Sequence, residues 1–308
     1  MQTIKLSVPG SIMLLGEHAI LFGEQAVACA VDKYIHITLT PRSDRLVQVD
    51  SALGQHQTCL EQLAPHASLS FVMAAIRQVQ SELPAGFTLK IESEFSHTVG
   101  LGSSAAVTAG TVAALHAYAG LSLEPVELFD RALAAVHEVQ QGRGSGTDLV
   151  ASIYGGLVAY RFAPREIVPL AAAPQLGLYY AGYKTPTPEV LRAVEHQSAQ
   201  CPVLYKQLYR LMGETSQQSI AAIQSAQWAV VGRTMNLYQG LLDALGVNDA
   251  TLSDMIYRLR GFPEVLGVKI SGSGLGDCVV TLGAAPELTG YEQIPIAVSR
   301  QGVSIEFI

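Results

Sequence analysis

The chain is short of charge, of cysteine and of long apolar runs, and each shortage closes off a class of function. Charged side chains make up 15% of the 308 residues, below the roughly 25% usual in soluble domains, while hydrophobic residues reach 49%. Disordered chains show the opposite balance. Nineteen Lys and Arg stand against 26 Asp and Glu, a formal net charge of -7, so the broad basic surface that nucleic acid demands is missing. The four cysteines, Cys29, Cys59, Cys201 and Cys278, lie far apart with no CxxC pair, which speaks against a zinc site or a disulfide framework and for buried thiols. The apolar stretches of MQTIKLSVPGSIMLLGEHAILFG are cut by Pro9, Gly10, Gly16, Glu17 and His18 before the ~20 residues that cross a bilayer. No charged leader ahead of a cleavable apolar segment is read there. The expectation is a cytoplasmic protein with neither a membrane nor a nucleic-acid partner.

What is present is an alternation of short apolar runs with helical periodicity, the pattern of a mixed α+β chain. Strands are expected near Thr3–Val8, Ser11–Gly16, Val27–Leu39, Gly86–Ile91 and Gly156–Phe162, and helices over Ser68–Glu82, Ser103–Ala119 and Pro125–Gln141. Pro125 suits the first turn of the last of these. Ala163–Gln175 holds three prolines and few periodic apolar positions, which places a domain boundary there and divides the chain into residues 1–170 and 171–308. Beyond it a strand at Leu176–Gly182, three or four helices between Pro188 and Arg260, and strands near Val265–Ser271, Cys278–Leu282 and Val303–Ile308 suit a second α+β domain. No internal repeat or low-complexity segment accounts for the length.

Three glycine- and serine-rich loops carry the chemistry. In VGLGSSAAV, Val99–Val107, Gly100 and Gly102 let backbone amides approach a ligand with no Cβ in the way. Ser103, Ser104 and the first helical amides then offer donors at the positive end of a helix dipole. The same string also serves as a glycine turn with a serine N-cap. In QGRGSGTD, Gln141–Asp148, the aspartate is either a helix cap or a carboxylate aimed into a cleft to orient or deprotonate a hydroxyl. SGSGLGDC, Ser271–Cys278, lies between two apolar strands and is richer in glycine and serine than a hairpin turn needs, although a long flexible hairpin also fits. No Walker P-loop, no dinucleotide fingerprint and no nucleophile elbow occurs. Three such loops imply a heavily phosphorylated ligand, a nucleoside triphosphate first of all.

These strings resemble the GHMP kinase superfamily. Its first motif is similar to PGSIMLLGEHAILFGEQAVACAV, Pro9–Val31, its second to VGLGSSAAV and its third to KISGSGLGDCVVTLG, Lys269–Gly283. Order, spacing and flanking elements match across nearly the whole chain. GEHA followed by Ile-Leu, where the galactose branch reads GEHTDY, points to the mevalonate branch. The resemblance implies a two-domain fold, with an N-terminal domain like ribosomal protein S5 domain 2 and a ferredoxin-like C-terminal domain. It implies ATP and Mg2+ as cofactors, mevalonate or phosphomevalonate as acceptor, and a homodimer as the assembly to look for.

Roles follow from the same resemblance. Gly100, Leu101, Gly102, Ser103, Ser104 and Ala105 would cradle the triphosphate, with the Ser104 hydroxyl on Mg2+ and Glu138 as a second metal ligand. Glu138 sits one position off the spacing to Gly142 that the family leads one to expect, about 100° around a helix, and with His137 it also reads as a solvated helix face. Asp148 would face the acceptor hydroxyl. Glu17, His18, Lys184 and Thr185 would line the acceptor pocket, and Gly272, Ser273 and Gly274 would close over it. Ser11 is a departure, because the family pattern carries a lysine after this Pro-Gly. Arg143, Lys5 and Lys184 are the candidates to supply the lost charge, Arg143 being placed with Asp148 among the catalytic residues. QGRGSGTD and SGSGLGDC also resemble loops of phosphomevalonate kinases, and a nucleotide- or metabolite-binding sensor on the same scaffold remains a non-enzymatic alternative.

Overall fold

The computed structural model describes residues 2–96 and 99–308. A first sheet has the order β12-β1-β2-β5-β3-β4, formed by β1 (Ile4–Leu15), β2 (Gln25–Pro41), β3 (Leu46–Ser51), β4 (Gly54–Cys59), β5 (Phe87–Ser93) and β12 (Ser304–Phe307). On β2, β6 (Leu157–Arg161) takes the place beside residues 25–29 while β5 pairs with residues 35–41. β7 (Glu166–Leu170) continues from β6. The β3–β5 pair is parallel; its neighbours are antiparallel.

β1 is one strand where the sequence suggests two. Pro9 pairs with Tyr34 but Gly10 pairs with Val31, so Asp32 and Lys33 bulge from β2 at the predicted break. The bulge divides the core. Ile4, Leu6 and Val8 join a cluster with α1 (Ser70–Val79), α2 (Ser103–Ala119), α3 (Pro125–Val139) and α4 (Thr147–Tyr154), whereas Ile12, Leu14 and Leu15 join a second cluster with the C-terminal half. α2 is buried nearly all round because its alanines, and Gly110 packed on Val8 and Ile37, let it lie close to the sheet.

The second sheet has the order β11-β8-β10-β9, all antiparallel, from β8 (Leu176–Lys184), β9 (Val265–Ser271), β10 (Gly276–Gly283) and β11 (Glu292–Ile294). Four helices precede β9: α5 (Thr187–Gln200), α6 (Pro202–Gln224), α7 (Trp228–Ala244) and α8 (Ala250–Arg260). The expected division at 170/171 falls between the two sheets, but the linker stretch contains β7, and the last strand returns to pair with β1. Residues 304–307 therefore belong to the first sheet rather than to the C-terminal unit. β3, β4 and β11 were not expected either: β4 and β11 are polar, and β3 offers only the short alternation LVQV, whose Val47 and Val49 are buried. Of the cysteines, Cys29 and Cys278 are buried free thiols, while Cys59 and Cys201 are exposed. No helix among the described residues is long and apolar enough to cross a membrane.

Candidate active site

Gly102 fills the N-cap position of α2 at φ +64°, and no side chain among the described residues caps the helix. The serine-cap alternative fails, since Ser103 and Ser104 lie inside the first turn and leave the leading amides for an external acceptor. The loop is held against β1. Leu101 O accepts the Ser11 amide at 3.0 Å, and a Cβ on Gly10 would stand 2.8 Å from that carbonyl. A Cβ on Gly102 would fall 2.0 Å from Ser11 Oγ and 3.5 Å from Asp148 Cβ, so only glycine fits this approach.

Asp148 is not a cap. Gly146 is the N-cap of α4, the Thr147 amide is taken by Ser145 Oγ at 3.4 Å, and Asp148 stands in the first turn. Its Oδ1 accepts a 2.8 Å hydrogen bond from Ser11 Oγ. Partial burial pushes the Asp148 carboxyl above the ordinary aspartate value; the Ser11 hydroxyl and the Lys184 charge pull it back, and the Asp277 charge adds to the rise. A carboxylate so placed, at a helix start and beside a glycine loop, can take a proton from an alcohol.

The third loop arrives from the other half of the chain. Asp277 packs on Gly100, where a Cβ would lie 2.3 Å from both carboxylate oxygens. Asp277 Oδ2 pairs with Lys184 Nζ at 3.0 Å, and Thr185 Oγ1 donates to Leu275 O at 2.6 Å. Gly274, at φ +85°, is pressed on the Val247 carbonyl, which accepts the Leu275 amide at 2.8 Å. His18 Nε2 meets Ser273 O at 2.9 Å, and burial pushes the His18 imidazole below its ordinary value. Gly100, Gly102, Ser11, Asp148, Lys184 and Asp277 thus meet in one place, with His18, Ser273 and Thr185 along the same loop.

Glu17 has a second attachment. Its Oε1 pairs with Lys269 Nζ, both side chains being almost wholly buried, and Glu17 Oε2 has no hydrogen-bond partner among the described residues. Lys269 also donates to Ile270 O and lies 5.6 Å from the Tyr238 ring, whose hydroxyl donates to Glu17 O at 2.8 Å. Burial raises the Glu17 carboxyl and lowers the Lys269 ammonium, each opposed by the other's charge. A lone lysine in the apolar strand VLGVKIS was the available sequence signal for this pair.

Other expected residues stand apart. Both oxygens of Glu138 are engaged by α1, Oε1 by Arg77 Nε at 2.5 Å and Oε2 by Gln78 Nε2 at 3.1 Å; the helix-face reading describes this position. Arg143 is exposed, and its guanidinium makes no hydrogen bond or ion pair among the described residues. Lys5 is exposed six residues up β1 from Ser11, about 20 Å at strand rise. Of the three candidate cations, Lys184 alone stands at the converging loops. A groove of about 390 Å³ lined by Lys5, His36 and Glu306 lies on the first sheet and shares no residue with them.

Comparison with known proteins gives the class. The family model described as the GHMP kinases N terminal domain matches residues 70–156, and that described as GHMP kinases C terminal matches residues 219–289. The chain belongs to the GHMP kinase family, ATP-dependent kinases of small molecules. Among its relatives, the mevalonate kinase of Thermococcus sibiricus is 30% identical with 98% of each chain covered. Among solved structures, a Lin0012 protein from Listeria innocua superposes with a TM-score of 0.87 at 21% identity, covering 99% of each chain. The L. major mevalonate kinase in complex with R-mevalonate gives 0.75 at 23%, covering 97% of this chain and 96% of that one.

Proposed function

We propose that this chain transfers the γ-phosphoryl group of ATP to the C5 hydroxyl of mevalonate. The observation that carries the reading is Asp148, held by Ser11 directly beside Gly102 and the open first turn of α2. A triphosphate bound by residues 100–105 meets the leading amides of that helix, while Asp148 accepts the proton of the acceptor hydroxyl as its oxygen attacks phosphorus. The bond between the γ-phosphorus and the β–γ bridging oxygen breaks and ADP leaves. Positioning and charge relief supply most of such a reaction. Glu17, His18, Lys184, Thr185 and the 272–274 loop stand on the acceptor side, where loop closure excludes water.

Mg2+ fits the donors at the convergence, though not Glu138, whose two oxygens are already taken. The Ser104 hydroxyl and the Asp148 carboxylate would be its hard-oxygen donors, and this ion needs only one or two carboxylates beside the nucleotide's own phosphates. When bound, it neutralises charge on the β- and γ-phosphates. The acceptor follows from charge as well. Of the two lysines at these loops, Lys269 is buried against Glu17 and leaves Lys184 to face the phosphates of the nucleotide, so an acceptor bearing its own phosphate as well finds little to neutralise it. The names of relatives such as the Thermococcus sibiricus mevalonate kinase agree.

The test is ADP release with mevalonate and phosphomevalonate side by side. Release with mevalonate alone supports the reading. Release with phosphomevalonate alone reassigns the acceptor, and ATP binding with no release on either argues for a sensor.

A further inference from the structure

Asp277 is an acid in a place that should refuse one. Its backbone is left-handed at φ +70°, its side chain is 4% exposed, and it lies flat on Gly100 in the loop that meets the triphosphate. Its Oδ1 is buried without a hydrogen-bond partner among the described residues. An unscreened carboxylate there repels a polyanion, so its net effect depends on the cation it holds. That cation is Lys184, at 3.0 Å, standing at the end of β8 with its side chain 31% exposed.

We propose that Asp277 is a positioning residue: it holds Lys184 Nζ over the Gly100–Gly102 loop, so that the cation missing at Ser11 reaches the γ-phosphoryl oxygens from the C-terminal half of the chain. Lys184 is flexible along four carbons and mobile enough to leave one oxygen for another. In the free protein Asp277 keeps it within electrostatic reach of Asp148; with nucleotide bound, the phosphoryl oxygens share it. The inference rests on the kinase reading in needing a triphosphate, and it is indifferent to which alcohol accepts.

The test compares wild type with Lys184→Met, Asp277→Asn and the double variant. Asparagine tolerates a left-handed backbone and methionine keeps the length of the lysine stem, so both folds should survive; thermal unfolding checks this. Calorimetry without acceptor gives the affinity for a non-hydrolysable ATP analogue relative to ADP, and steady-state kinetics use whichever alcohol releases ADP. Lys184→Met is expected to lower the preference for the triphosphate about tenfold and kcat by about 10²–10³, the scale of one lost transition-state donor, with the acceptor KM little changed. Asp277→Asn is expected to lower kcat by about 10-fold or more, and the double variant to be no worse than Lys184→Met, because the two act as one unit.

Additive losses overturn the proposal, as does a Lys184→Met effect confined to the acceptor KM. An Asp277→Asn variant that merely needs more Mg2+, whether or not Lys184 is present, identifies Asp277 as a metal ligand and also overturns it. Since binding is read without acceptor, inactivity toward mevalonate would refute the acceptor assignment and leave this test standing.

Discussion

Burial and the Asp277 charge raise the proton affinity of Asp148 while the Ser11 hydroxyl and the Lys184 charge lower it, and the balance can be measured. Burial raises its pKa, so the folded protein binds that proton more tightly than the unfolded chain does. The contribution to stability is therefore favourable below the ordinary aspartate range, about pH 4, and is lost as pH rises through the raised folded value. At pH 7 the ionised carboxylate is a net cost. Asp148→Asn should abolish turnover, leave nucleotide affinity within about threefold, and raise the unfolding temperature at pH 7 but not near pH 4. Loss of Ser11 Oγ removes a group that favours the charged form. Ser11→Ala should thus move the acid limb of the pH–rate profile to higher pH, read from kcat/KM between about pH 4 and 8.

Elements were legible to different degrees. α2 and the start of α3 stand where small-residue periodicity and Pro125 put them, and the glycine loops were visible because no other residue type explains such strings. The helix starts were harder. A serine after Gly102 and an acid after Gly146 both read as caps, and only the backbone, with glycine at each N-cap, shows that neither side chain is used that way. Asp277 lies within the third glycine-rich motif, but its meaning depends on Gly100 and Lys184, distant in sequence. At this scale Gly102→Ala is the informative change. Its Cβ would strike Ser11 Oγ at a left-handed φ, so calorimetry should show nucleotide binding weakened by at least about tenfold, with the secondary structure seen by circular dichroism unchanged.

The whole molecule is tied together at the same place. Ile12, Leu14 and Leu15 of β1 pack with Leu178, Tyr238 and Ile270 in one cluster, and the Glu17–Lys269 pair links the first motif to β9. Removing one member of a buried pair strands the other's charge, at about 3–5 kcal/mol. Lys269→Met should lose stability on that scale in urea unfolding. Adding Glu17→Gln should recover much of it, because no lone charge remains. Sequence alone indicated two halves and a last strand over Val303–Ile308, but not their stitching: nothing local says that β12 returns to pair with β1.

The central claim is that stretches far apart in the chain meet around Asp148 to move a phosphoryl group. The most direct measurement is a single-turnover experiment with γ-labelled ATP and mevalonate on wild type and Asp148→Asn at matched nucleotide occupancy. The account predicts label on mevalonate with wild type and none above background with the variant. Equal transfer by both proteins would contradict it.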